Sequence, residues 1–257
     1  MHATFAHILV PVDFSLNTEL AVRKAVELGG EENVLLHLFH VERTLTTLEA
    51  KLKLNLIKSV TEERWPWVRV RIHVDDGSSV TAGIIAMARL VSPELIVIGK
   101  HGGNRYLPLH AISPQYLAKA TRVPVMTVKP GSMDGKIKIV VIPVRDVMTE
   151  RKLEIALTIA QRYRARIHLV TTQQVVSSRA FVNTYRQLRE FLGQRVEYHA
   201  DARRNLVKAT VRYAESIMAD LILADPETES SVLSWIGRTH ISHLLKQGSR
   251  VQIMDVA

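Results

Sequence analysis

The sequence contains no cysteine among its 257 residues. That absence excludes disulfide frameworks and thiolate metal sites, so a metal ion could be held only by His together with Asp or Glu. No run of eighteen apolar residues occurs, and residues 1–5 lack the charged and apolar regions of a signal peptide. We therefore expect a cytoplasmic protein without a membrane partner.

Aromatic residues are scarce, at 5% of the chain, whereas the net charge is +9. The basic excess is larger in residues 131–257, with 19 Lys and Arg against 13 Asp and Glu, than in residues 1–130, with 15 against 12. The arginines of the second half belong to no recognition-helix motif, which is a feature of nucleic-acid-binding proteins. We interpret the excess as a solvated basic face and do not expect nucleic acid as a partner.

Apolar strands alternate with helical patterns along the first half of the chain, and the hydrophobic content of 47% supports a proper core. Gly29 and Gly30 close the first helix. The periodicity predicts strands at 7–12, 33–41, 68–75, 94–99 and 124–129, with helices around 20–28, 45–62, 78–91 and 113–121 between them.

The same order returns after a turn-rich stretch at residues 130–135. Residues 138–144 repeat the pattern of residues 8–12, and residues 220–224 repeat that of residues 94–99. A repeat of about 125 residues fits two complete domains in tandem, which we place at residues 1–130 and 136–257. Because parallel strands need helical crossovers, each domain should be a doubly wound α/β domain whose parallel sheet has helices on both faces.

Four segments carry a resemblance to the universal stress protein family. They are Ile-Leu-Val-Pro-Val-Asp at 8–13, Leu-Ile-Val-Ile-Gly at 95–99, His101-Gly102, and Val-Pro-Val at 123–125. The family's phosphate-binding motif runs Gly, two residues, Gly, nine residues, then Gly-Ser or Gly-Thr. Here Gly99 and Gly102 match, and Ile112 replaces the third glycine before Ser113. The resemblance implies two tandem domains, each with five strands in the order 3-2-1-4-5.

In a sheet of that order, ligands bind in the crevice between the carboxyl ends of the first and fourth strands. Asp13 and Gly99 occupy those two ends. The resemblance assigns Asp13, with the backbone at Pro11 and Val12, to the adenine and ribose end of a nucleotide, and Val41 to the wall of the adenine pocket. Glycines permit close approach of backbone N–H groups to phosphate, and the helix starting near Ser113 directs its positive end to the same anion.

The predicted ligand is ATP with Mg²⁺. The candidate nucleotide-binding residues are Pro11, Val12, Asp13, Val41, Ile98, Gly99, Gly102, Ile112 and Ser113. Each key residue has a structural alternative: Asp13 can cap the turn into the first helix, Gly99 can simply end a strand, and Ser113 can act as N-cap before Pro114.

The second domain departs further from the motif. Arg145 stands where the first domain has Asp13, Ala224 where it has Gly99, and Glu227 where it has Gly102. A carboxylate at the phosphate position would repel the ligand, so we expect no nucleotide site in this half.

Histidine spacing does not predict a metal site. His37 and His40 lie on opposite faces of one strand, and His240 and His243 have no carboxylate partner nearby in the sequence.

Two functions remain open. One is a stress-response regulatory protein that binds an adenine nucleotide in its first domain; the other is an interaction module that works through protein contacts alone. We do not expect an enzyme, because the Ser-Gly-Gly-rich loop and the His-x-Gly-His segment of ATP-cleaving relatives are both missing. The resemblance further implies a pseudo-dimer within the chain, formed by pairing residues 123–129 with residues 250–256, and leaves a homodimer open.

Overall fold

The computed structural model describes residues 5–31, 33–42, 46–77, 79–99, 112–129, 136–145, 147–202, 205–225, 241, 245, 249 and 251–257. The chain divides into two compact units, Thr4–Met133 and Asp134–Ala257. The predicted linker at residues 130–135 lies outside the described residues.

The first unit alternates strands and helices in the predicted order. Its elements are β1 (His7–Pro11), α1 (Leu16–Gly29), β2 (Val34–Val41), α2 (Thr47–Arg64), β3 (Val68–Asp75), α3 (Val80–Val91), β4 (Leu95–Gly99), α4 (Pro114–Thr121) and β5 (Val125–Val128). The strands lie side by side in the order β3-β2-β1-β4-β5, and the neighbouring pairs are parallel. The predicted doubly wound topology is confirmed.

Burial of consecutive residues explains why this sheet has helices on both faces. All five residues of β4 are buried, as are residues 8–11 of β1. Because neighbouring residues of a strand point to opposite faces, a run of buried residues requires cover on both sides. Helices α3 and α4 cover one face through a core cluster that includes Leu9, Ile96 and Ile98.

Helix boundaries follow local capping chemistry. Thr46 and Glu49 form a capping box at the start of α2, in which Thr46 Oγ1 accepts from Glu49 N and the Glu49 carboxylate accepts from Thr46 N. Helix α4 begins with Ser113 as N-cap and Pro114 in its first turn.

The second unit repeats the fold. Its elements are β6 (Ile139–Pro143), α5 (Glu150–Tyr163), β7 (Arg166–Thr172), α6 (Arg179–Leu192), a 3-10 turn (Gly193–Arg195), β8 (Val196–Asp201), α7 (Leu206–Ser216), β9 (Leu221–Ala224) and β10 (Gln252–Asp255). The parallel strand order β8-β7-β6-β9-β10 is the same 3-2-1-4-5 arrangement. The predicted pairing of residues 123–129 with residues 250–256 stays a prediction.

No helix within the described ranges is long and apolar enough to cross a membrane.

Candidate functional site

A crevice lies at the carboxyl ends of β1 and β2 in the first domain. It contains about 260 Å³ of empty space that opens to solvent. Its lining residues are Pro11, Val12, Asp13, Phe39, His40, Val41, Val80 and Ile84. Four of the predicted site residues, Pro11, Val12, Asp13 and Val41, are therefore brought together at this edge of the sheet.

Asp13 uses one carboxylate oxygen to organise the turn into α1. Its Oδ1 accepts from Ser15 N at 3.1 Å, Ser15 Oγ at 2.5 Å and Thr18 Oγ1 at 3.0 Å. Its Oδ2 is buried and has no hydrogen-bond donor among the residues that the structure describes. A buried acceptor without a donor loses its hydration without compensation, so Oδ2 is suited to a donor supplied by a ligand. Asp13 can therefore cap the turn with Oδ1 and accept a hydrogen bond from a ligand with Oδ2.

An aromatic contact beside the crevice was not predicted from the sequence. The Phe14 ring lies 4.6 Å from the His40 ring, and Lys53 Nζ lies 5.4 Å from the Phe14 ring centre. Phe14 has φ 58°, a left-handed conformation that few bulky residues adopt. His40 Nδ1 is 2.8 Å from Val12 O, and because a carbonyl only accepts, this nitrogen carries the proton. The contact fixes the backbone next to Asp13.

Gly99 ends β4 at the opposite side of the predicted site, where it touches α1. A Cβ placed on Gly99 would overlap the backbone carbonyl of Asn17 and lie 2.9 Å from the Asn17 Cβ. Packing of α1 against β4 alone therefore requires glycine here. Asn17 itself is 2% exposed, and its Nδ2 has no acceptor in the described part of the chain.

The remaining described motif residues belong to the core and to a helix cap. Ile98 and Ile112 are 2% and 4% exposed and lie in the core cluster with Leu117. Gly102 lies outside the described residues.

Ser113 performs the structural role that its position before Pro114 suggested. Its Oγ accepts from Tyr116 N at 3.3 Å and donates to the Gln115 side-chain oxygen at 2.8 Å. Pro114 has no N–H. Position 114 therefore has no N–H to offer an anion at the start of α4, and the N–H of Tyr116 is already bonded to Ser113.

In the second domain an internal ion pair lies at the equivalent edge of the sheet. Lys152 of α5 is 1% exposed, and its Nζ is 2.6 Å from Asp225 Oδ2 and 3.4 Å from Pro143 O. Burial lowers the pKa of Lys152, and the neighbouring Asp225 opposes that shift. Arg145 is exposed, while Glu227 lies outside the described residues. The ammonium group thus joins the ends of β6 and β9, where a ligand crevice would open.

The position of Lys152 in the helical pattern of α5 indicates this ion pair, although the residue type alone does not. Lys152 stands at helical spacing with Ile155, Ala156 and Ile159, all buried on the same face of α5. A lysine in the apolar stripe of a helix predicts a buried partner for its charge.

Both domains also contain a pair of histidines at equivalent positions of their second and third strands. His37 Nδ1 lies 3.0 Å from His73 Nε2, and His168 with His199 occupies the matching positions around Tyr213. Burial lowers the pKa of His37 to about 4, and the nearby His73, His7 and Arg71 add to the shift.

Ring geometry makes the His37–His73 contact a direct hydrogen bond. The ring centres are 5.3 Å apart with planes tilted by 21°, so the facing nitrogens lie near the line between the centres.

Among the described residues, no group of three or more His, Asp or Glu could hold a metal ion. His240 and His243 lie outside them.

The family model that matches the chain is that of the Universal stress protein family, over residues 4–129. No curated protein matches the chain in sequence.

Solved structures resemble the chain over nearly its full length. One is a universal stress protein from Archaeoglobus fulgidus DSM 4304, 15% identical, with a TM-score of 0.63, covering 97% of this chain and 98% of that one. Another is a putative universal stress protein from Pseudomonas aeruginosa UCBPP-PA14, 17% identical, with a TM-score of 0.62, covering 98% and 93%. A third is the cytoplasmic domain of a prokaryotic cation chloride cotransporter, 14% identical, with a TM-score of 0.61, covering 97% and 94%. At these identities the likeness shows the fold alone.

Proposed function

Since the chain belongs to the universal stress protein family through residues 4–129, we propose that its first domain binds an adenine nucleotide and that the protein acts as a stress-response regulator. The proposal is a binding function, and no catalytic step is assigned to it. ATP, with Mg²⁺ on its phosphate chain, is the ligand that the motif resemblance favours.

The observation that carries the proposal is the buried Oδ2 of Asp13. This oxygen lacks a donor within the described ranges and lies beside the crevice at the end of β1. The amino group of a purine and the hydroxyls of ribose are donors of the required kind. Phe39, Val41, Val80 and Ile84 give the crevice an apolar wall of the sort that packs against a flat base.

The lining of the crevice bears on which part of the nucleotide it would hold. Asp13 and the apolar wall lie at the crevice, whereas Gly99 lies at the opposite side of the predicted site. We therefore expect the base and ribose at the crevice, with the phosphates extending toward Gly99. Since positions 114 and 116 offer no N–H there, we expect α4 to add little phosphate affinity.

Thermal unfolding with and without millimolar Mg-ATP tests the proposal. A ligand at 100 times its Kd adds about 2.7 kcal/mol, which corresponds to a rise of roughly 5–10 °C in the unfolding temperature of a domain of this size. Adenosine and AMP are measured in parallel because the base and ribose should supply most of the affinity.

Asp13→Asn is the matched variant. Its amide oxygen can keep the bonds of Oδ1 to Ser15 and Thr18, while the NH₂ group that replaces Oδ2 donates instead of accepting. We expect a normal unfolding temperature without ligand and a smaller ligand-induced shift. An unchanged shift in this variant would remove Asp13 from the site.

A second function, an interaction module without nucleotide, is favoured by the packing roles found at two motif residues. Gly99 is required by the contact with α1, and Ser113 is engaged as the N-cap of α4. If no adenine compound shifts the unfolding temperature, and mass spectrometry detects no nucleotide in the purified protein, the interaction module becomes the better proposal.

A further inference from the structure

A buried amide without an acceptor lies in the first turn of α1. Asn17 is 2% exposed, and its Nδ2 has no hydrogen-bond acceptor in the part of the chain that the structure describes. A buried N–H group that gives up its hydration without forming a bond costs free energy, so each such group in a folded protein needs an explanation. An acceptor supplied by a ligand is one explanation.

The position of Asn17 directs this amide to the ligand-binding edge of the sheet. Helix α1 begins at Leu16, shortly after the carboxyl end of β1. Side chains on a helix lean toward its N-terminus, so the amide of Asn17 leans toward that same edge. The Asn17 Cβ lies 2.9 Å from the point where a Cβ on Gly99 would stand, which places it beside the carboxyl end of β4. In a doubly wound sheet, ligands bind between these two strand ends.

The first turn of α1 lacks the side-chain cap that every other described α-helix has. Ser15 is the N-cap residue, but its side chain makes no cap bond to a backbone N–H. Its hydroxyl donates to Asp13 Oδ1 instead. In helices α2 to α7 the N-cap side chain accepts from a backbone N–H of the first turn. The N–H groups of Leu16 and Asn17, which a helix leaves without an internal acceptor, therefore favour an anion beside the Asn17 amide.

A hydrogen-bond acceptor lies close to this donor. Thr18, the residue after Asn17, donates to Asp13 Oδ1 at 3.0 Å, so Asp13 is in contact with the first turn of α1. The other carboxylate oxygen of Asp13, Oδ2, is buried without a donor among the described residues. A ligand that fits both groups carries a hydroxyl donor close to an anionic acceptor. A ribose 5′-phosphate is such a unit, because its hydroxyls and its phosphate oxygens belong to one small sugar.

We propose that Asn17 binds the phosphate attached to the ribose of the nucleotide, so that phosphate recognition lies at the start of α1 and not of α4. The inference rests on the proposed nucleotide function and adds the residue that distinguishes a nucleotide from a nucleoside. At the start of α4, position 114 has no N–H and the N–H of Tyr116 is bonded to Ser113. An amide that donates to a charged oxygen forms a stronger bond than one between neutral groups.

Packing against β4 does not need the amide of Asn17. The residue approaches Gly99 with its backbone carbonyl and its Cβ, and alanine has both atoms. Ser15 and Thr18 supply the side-chain bonds that hold Asp13 in the turn before α1. Neither the contact with β4 nor the turn therefore explains why this position carries an amide.

Calorimetric titration of the full chain with adenosine and AMP tests the proposal. We expect AMP to bind wild type at least about 10-fold more tightly than adenosine, as a hydrogen bond to a charged group provides. Asn17→Ala should bring the two dissociation constants within about threefold of each other. Asn17→Asp should make AMP the weaker ligand, because a carboxylate then faces the phosphate.

Leu16→Asp is the matched control for charge. Leu16 is 83% exposed and belongs to the same helical turn, so the new carboxylate adds the same charge where solvent screens it. The preference for AMP should persist in this variant. Loss of the preference in Leu16→Asp would mean that the charge at the helix terminus, and not the Asn17 amide, recognises the phosphate.

Stability without ligand distinguishes the binding role of Asn17 from a structural role. Asn17→Ala removes a buried donor that has no acceptor in the described chain, and alanine has the higher helix propensity. The unfolding temperature of this variant should therefore equal or exceed that of wild type. A fall of about 4 °C or more would show that the amide stabilises the fold and would overturn the proposal.

The outcomes separate this proposal from the nucleotide function itself. Equal affinity of wild type for adenosine and AMP, or an AMP preference that Asn17→Ala retains, overturns the role of Asn17 and leaves nucleotide binding in place. If wild type binds neither compound, the nucleotide function is wrong, and inorganic pyrophosphate is the probe. A rise in the wild-type unfolding temperature with pyrophosphate that Asn17→Asp lacks supports phosphate binding by Asn17, whereas no rise overturns it as well.

Discussion

Acidification should destabilise the first domain through His37. In the folded chain this side chain is 3% exposed and its pKa is lowered from 6.5 to about 4, chiefly by burial. Between pH 6.5 and pH 4 the unfolded chain therefore binds a proton at this residue that the folded chain does not. Stability is complete above pH 6.5, falls as the pH drops, and levels off near pH 4.

The magnitude follows from the size of that shift. Each pKa unit corresponds to 1.36 kcal/mol, so the full effect reaches about 3 kcal/mol. We take this as a ceiling, because β2 pairs with β3 at the edge of the sheet, where water is close. Burial and Arg71 also lower the pKa of His73, which faces His37, and this adds to the loss in the same direction.

Urea unfolding between pH 7.5 and pH 4.5 measures the effect. Trp65 and Trp67 report on the first domain, and Trp235→Phe removes the remaining tryptophan. His37→Gln should flatten most of the pH dependence, whereas His199→Gln in the second domain should not change it. A wild-type stability that is constant from pH 6.5 to pH 5, or a slope that His37→Gln leaves unchanged, would refute the reasoning.

Two further predictions concern the strand ends. Asp225→Asn should destabilise the second domain by about 3–5 kcal/mol, because it leaves the Lys152 ammonium buried without its partner; Lys152→Met should cost less, since Asp225 is 28% exposed and can be hydrated. Urea titrations of both variants compare the two losses, and equal losses would contradict this account. Gly99→Ala should destabilise the first domain by about 1–3 kcal/mol even without nucleotide, because the added methyl overlaps the Asn17 carbonyl; an unaltered unfolding midpoint would show that α1 can shift at little cost.

The fold was predictable because hydrophobic periodicity and the repeat are properties of the chain itself. Buried strands such as β4 appear as continuous apolar runs, and the glycines at 29 and 30 mark the end of α1. Both sheets have the strand order that the motif resemblance implied. The domain limits and the pairing of the last strands remain predictions.

The candidate site was predictable only in part. Pro11, Val12, Asp13 and Val41 do line one crevice, as residues at the carboxyl ends of adjacent parallel strands should. The roles of Gly99, Ile112 and Ser113 were left open, because a glycine that approaches phosphate and one that approaches a helix have the same sequence pattern. Gly102 lies outside the described residues.

The sequence by itself determined the tandem α/β architecture and the edge of the sheet where a ligand would bind, since both depend on the order of strands along the chain. Only the tertiary structure decided which groups are satisfied there. It showed that the turn into α1 uses one carboxylate oxygen of Asp13, while the other has no donor among the described residues. It also paired Lys152 with a carboxylate 73 residues away. Burial and hydrogen bonding depend on residues distant in sequence, and these contacts exist only once the chain has folded.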